Sequence, residues 1–134
     1  MKLYRAAALG LTAGFLVVGA LFLAIPDGVL TFFNRLSGHL GLPEAPPLGH
    51  PFFLVLASGY MFLVSLLAWL MFRHPKNRTF PLLLAQGKSA TSLLSLVFFI
   101  VHRPFLIYLA NFFVDGLIAV GVWWISRTGS DGSQ

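Results

Sequence analysis

Two ionisable residues stand where charge is hard to keep: Lys88 in AQGKSATSLL (residues 85–94) and Asp115 in FFVDGLIA (residues 112–119). A cation and a carboxylate in apolar surroundings can pair, hold a solute between them, or exchange a proton. An unpaired charge at bilayer depth costs about 2.5–3.5 kcal/mol on insertion scales, so each needs a reason to be there. Polar neighbours recur at helical spacing. Ser92 and Ser95 follow Lys88 by four and seven residues, Asn111 precedes Asp115 by four, and Ser58 and Ser65 are seven apart. Such spacings put the members of each set on one helix face. Lys88, Asp115, Asn111, Ser92, Ser95, Ser58 and Ser65 are therefore the candidates for an intramembrane polar strip. Serines in apolar helices also bond their own backbone or join helices, and taken singly each serine is better read that way.

Other chemistries fall away. GKS at 87–89 matches the end of a phosphate-binding loop, but Leu82 occupies the place of its first glycine and no strand precedes it. The chain has no cysteine, which excludes disulfides, thiolate metal sites and thiol nucleophiles. His39, His50 and Glu44 are near enough in sequence to share a metal, yet solvated loop side chains are the stronger reading. No histidine falls mid-span, so a haem held by two histidines between helices is not expected. Neither a nucleophile–base pair nor a cofactor site is apparent, so no catalytic residue and no cofactor are expected.

The elements that position these residues follow from composition. Of 134 residues, 57% are hydrophobic and 10% charged, whereas a water-soluble domain carries about a quarter charged. A net charge of +5 would suggest nucleic acid in a soluble protein. Here the basic residues sit in short segments between apolar runs, so the expected environment is the lipid bilayer and no nucleic-acid partner is expected. Four apolar stretches reach the ~20 residues needed to cross as helices: about 6–25, 52–72, 80–101 and 105–126. The expected fold is an all-α integral membrane four-helix bundle, a single domain over residues 1–134. The first span follows a basic start, as a signal peptide would. Its apolar run is longer than a signal core, and cleavage after Ala24 would put bulky Phe22 where a small residue is preferred, so it is expected to stay as an anchor.

Lys2, Arg5, Arg73, Lys76, Arg78 and Arg127 fall on one side of the four spans, and only Arg35 and Arg103 on the other. The positive-inside rule then makes both termini cytoplasmic. The connections around residues 74–77 and 102–104 are short, so spans two, three and four are expected to pack as antiparallel neighbours. The segment between spans one and two is longer. Asp27 is a plausible N-cap there, and apolar residues at 29, 30, 32, 33, 36 and 40 suit a short interfacial helix over about 27–40. The proline-rich GLPEAPPLGHP returns the chain to span two, as a connector in preference to a lid. Ala6, Gly10 and Gly14 make a small-residue face for close helix packing, within the bundle or against another protein. Tyr4, Trp69, Trp123 and Trp124 fall where a cytoplasmic-side aromatic belt is expected.

Depth ties Lys88 to Asp115. Lys88 lies roughly 12 Å below the cytoplasmic edge counted from Phe80, and Asp115 about 16 Å below it counted from Ser126. A lysine bridges that difference, so an ion pair inside the bundle is expected over a lysine reaching up to the interface. Asp115 as a neutral donor is the alternative.

The segments FLVLASGYMFLVSLLAWLMFRHP, LLLAQGKSATSLLSLVFFIVH and YLANFFVDGLIAVGVWW resemble a group of small four-span bacterial inner-membrane proteins with no assigned activity. The overall layout is also similar to the DoxX-like membrane proteins. The first resemblance covers the last three spans and the second the architecture; neither carries a functional residue across. It implies a multi-pass protein of the bacterial inner membrane. Three functions compete. The leading one is a non-catalytic accessory or assembly subunit with a larger membrane-protein partner, whereas self-association as a homo-oligomer is expected of the next. Next comes a small-solute or ion transporter or channel using Lys88 and Asp115. The last is an enzyme acting on a lipid or quinone.

Overall fold

In a computed structural model, residues 2–46 and 51–128 are described, without the side chains of Pro51 and Phe52. Five helices follow in order: α1 (Lys2–Ala24), α2 (Pro26–His39), α3 (Pro51–Arg73), α4 (Thr79–Val101) and α5 (Leu106–Thr128). Among the described residues there is no strand. The helices α1, α3, α4 and α5 are each 23 residues long. At 1.5 Å per residue that is about 34 Å, a little more than the ~30 Å of bilayer hydrocarbon. All four are long and apolar enough to cross a membrane. Each described proline lies in a connection or in the first turn of a helix, where its missing N–H breaks no ladder.

The long helices form two antiparallel pairs. In α1–α3, the Arg5 guanidinium lies 5.4 Å from the Phe72 ring centre near one end, and Gly19 backs onto Met61 towards the other. In α4–α5, Lys88 meets Asp115, Ser92 meets Phe112 and Asn111 meets Ser95. The contact between α3 and α4 joins the pairs but is less extensive than either. The short turns led us to expect α3, α4 and α5 in series, yet α3 takes α1 as its main partner across the longest connection. Side-chain size explains it: Ala8 and Ala68 are fully buried at 0% exposure, so little keeps the two backbones apart. The start of α1 at Lys2, the end of α5 at Thr128 and the α3–α4 turn therefore share one end of the bundle, and the α4–α5 turn and α2 lie at the other.

The apolar core is Tyr4, Ala8, Phe15, Val64, Ala68, Met71, Leu84, Ala85 and Val122. Apart from Phe15, these positions fall in the half of the bundle nearer Lys2 and Thr128. Tyr4, in the first turn of α1, is 5% exposed within this core; Trp69, Trp123 and Trp124 are exposed. The face of α1 that packs is Tyr4, Ala8, Thr12 and Phe15. Ala6, Gly10 and Gly14 are on its outward side, and a Cβ at Gly10 or Gly14 would meet nothing within 4 Å. The close approach comes elsewhere: a Cβ at Gly19 would lie 3.0 Å from Met61 Cβ.

The N-cap of α2 is Ile25, two residues before Asp27. Pro26 opens the helix after Ile25, and no side chain caps it. Proline is pre-set for the first helical position, where an N–H would have no partner anyway. Asp27 sits in the first turn, still favourable to the helix dipole. The helix ends before Gly41, whose φ of +66° is the left-handed conformation that glycine adopts without strain. Asn34 then holds the returning chain by two bonds to Ala45, each 2.9 Å. Leu30 and Ser37 are buried, and α2 packs on α1 and α5.

Candidate functional site

The Lys88 ammonium donates to Asp115 Oδ1 at 2.8 Å, and both residues are 3% exposed. Lys88 is nine residues into α4, about 14 Å from that end, and Asp115 is thirteen residues before the end of α5, about 20 Å. The difference is close to one helical turn, and the lysine side chain spans it.

Both other long helices reach the same point. The Phe15 ring centre, from α1, lies 4.7 Å from Lys88 Nζ, and that of Tyr60, from α3, lies 5.2 Å away. The negative faces of aromatic rings attract a cation, most strongly where water is excluded. Four helices therefore meet on one ammonium, with rings from one pair and a carboxylate from the other.

Asp115 gathers donors. Besides Lys88, the Thr91 hydroxyl donates to its Oδ2, and Asn111 Nδ2 approaches the same oxygen at 3.5 Å. An ionised carboxylate, which only accepts, suits three converging donors. The better bond of Asn111 runs to Ser95 Oγ at 2.7 Å. Ser92 donates across to the Phe112 carbonyl at 2.8 Å. That crossing depends on Gly116, because a Cβ there would stand 3.0 Å from Ser92 Oγ.

The structure thus brings together five of the seven sequence candidates: Lys88, Asp115, Asn111, Ser92 and Ser95. The other two do not join them. Ser65 donates to its own helix, to the Met61 carbonyl at 2.7 Å, and the buried Ser58 hydroxyl has no partner among the described residues. Ser58 and Ser65 belong to α3, and its contribution to the site is the ring of Tyr60. Three participants were missed. Thr91, three residues after Lys88, was open to the same face argument that selected Ser92. Phe15 and Tyr60 had no distinguishing signal in spans so rich in aromatic residues.

Among the described residues, no three His, Asp or Glu side chains are grouped to hold a metal. His39 is exposed, with Nδ1 2.8 Å from the Arg35 carbonyl, and Glu44 is exposed; His50 lies outside the described residues.

No protein-family model matches this chain, and no curated protein or solved structure does. Hollows adjoin the bundle among the described residues. A groove of about 430 Å³ runs between α1 and α3, lined by Leu9, Thr12, Ala13, Leu16, Phe62, Ser65, Leu66 and Trp69. Thr12 and Ser65 turn their hydroxyls to their own backbones, so the groove offers apolar surface. A smaller crevice of about 160 Å³ lies between α4 and α5, lined by Leu94, Ser95, Phe98 and Tyr108. It borders the polar cluster through Ser95. The arrangement can fix four helices around one charge pair, and it places a titratable acid beside a hydrogen-bonded polar chain.

Proposed function

We propose that this protein is a non-catalytic integral membrane protein that serves as an accessory or assembly subunit of a larger membrane complex. The observation that carries the reading is the division of faces on α1. Tyr4, Ala8, Thr12 and Phe15 pack inward, while Ala6, Gly10 and Gly14 lie on the outward side beside exposed Leu3, Leu9 and Leu16, with open space where a Cβ would stand on either glycine. In hydrocarbon, helices associate through close backbone approach and van der Waals packing, which small residues permit. The polar cluster supports the same reading from inside, since its charges are satisfied within the bundle and act as a staple. The resemblance to small four-span bacterial proteins and the DoxX-like layout belong to this proposal, as does an inner-membrane location. So does the interfacial placement of α2, supported by exposed Phe32, Leu36 and Leu40 beside Arg35 on a helix too short to span.

Purification in a mild detergent tests the reading. The expected result is a larger membrane protein retained in fixed stoichiometry, and lost when Gly10 and Gly14 are both replaced by Ile while the isolated variant keeps its thermal stability. Recovery of the wild type alone or only as copies of itself would overturn it. The second reading, a small-solute or ion transporter working through Lys88 and Asp115, is favoured by the crevice that borders Ser95.

A further inference from the structure

Most of the apolar core lies nearer the chain-end side of the bundle than the polar cluster does, and Phe15 stands level with Lys88. Leu84 and Met71 are 0% exposed, Val122 is 1% and Ala85 is 6%, and all four lie between Lys88 and the end of the bundle that carries the termini. Towards the α4–α5 turn the filling changes. Ser95 is six residues before the end of α4, about 9 Å from it, and its side chain is next to a crevice that Phe98 and Tyr108 continue towards the turn. Tyr108 is two residues into α5, about 3 Å from that end. The crevice therefore begins at membrane-boundary depth and ends on a hydroxyl. Its ~160 Å³ admits several waters at about 30 Å³ each in the liquid, and Ser95, whose hydroxyl accepts from Asn111, lines it. From Ser95, one side chain, Asn111, leads to Asp115.

We propose that water enters the polar cluster from one face only, that of the α4–α5 turn, through the crevice over Ser95. Asn111 stands between that water and the Lys88–Asp115 pair, and the apolar core seals the pair from the opposite face. A proton or small polar solute exchanging with Asp115 does so on the turn face. The inference does not depend on a partner protein, and its test leaves the accessory reading untouched.

The absence of native cysteine makes the chain a ready background for thiol accessibility. Single variants are compared by their rates with the membrane-impermeant sulfonatoethyl methanethiosulfonate, applied to each face of the membrane in turn. Ser95→Cys reports the crevice, Val97→Cys the lipid side at nearly the same depth, and Leu84→Cys the core. His102→Cys marks the turn face and Lys76→Cys the opposite one. Thiolate, the reactive form, needs water, so Ser95→Cys is expected to react at least about tenfold faster than Val97→Cys. It should do so only from the face that labels His102→Cys, with Leu84→Cys slow from both. A rate for Ser95→Cys equal to that of Val97→Cys, or faster reaction from the Lys76 face, overturns the proposal. If Ser95→Cys does not accumulate, Leu94→Cys and Tyr108→Cys line the same crevice and are held to the same comparison with Val97→Cys.

Discussion

At the scale of single residues, the central fact is that Lys88 and Asp115 are each tolerable only because of the other. Removing one partner of a buried pair leaves an uncompensated charge, which typically costs 3–5 kcal/mol, while removing both often costs little. Lys88→Met is therefore expected to lower the unfolding midpoint in detergent sharply, and Lys88→Met with Asp115→Asn to recover most of the loss. A double-mutant cycle with about 1 kcal/mol or more of coupling is the expected result, and additivity would mean that the pair contributes nothing. This pair could be read in the sequence because depth along a helix is a matter of counting residues. Thr91 was within reach of the same counting. Phe15 and Tyr60 were not, because which ring faces the ammonium depends on the rotation of α1 and α3 about their axes, and uniformly apolar helices carry no stripe to fix that rotation.

At the scale of elements, the spans were legible to within a few residues, since length and hydropathy define them directly. Their pairing was not. Short turns argue for neighbours, but side-chain volume decides how closely two helices approach, and Ala8 with Ala68 favours α1 against α3. The glycines repeat the lesson. A spacing of four singles out Gly10 and Gly14, where an added Cβ would meet nothing within 4 Å, whereas Gly19 and Gly116 each have a neighbour 3.0 Å from where a Cβ would stand. Gly116→Val should displace Ser92, break its bond to Phe112 and lose about 1–3 kcal/mol, the usual cost of overpacking. Gly10→Val should leave the stability of the isolated protein within about 0.5 kcal/mol, as surface substitutions do. Equal losses at the two sites, measured by thermal unfolding in the same detergent, would contradict this assignment of faces.

At the scale of the whole molecule, charge is distributed between the two ends of the bundle as unevenly as packing is. The chain ends and the α3–α4 turn bring Lys2, Arg5, Arg73, Lys76, Arg78 and Arg127 to one end, against Arg35 and Arg103 at the other. Lys88 counts for neither, being buried between helices. Because short basic segments resist translocation, this arrangement should hold both termini in the cytoplasm, with α2 and the α4–α5 turn on the far side. A reporter active only in the cytoplasm, fused after residue 128, should be active in the wild type. Replacing Arg73, Lys76 and Arg78 by Gln and adding two lysines within residues 41–46 would cut the six to three and raise the two to four. That reversal should divide the population between orientations and lower the reporter signal in proportion. An inactive wild-type fusion would reverse the assigned orientation, and an unchanged signal in the variant would show that the order of insertion, and not the charge difference, sets it.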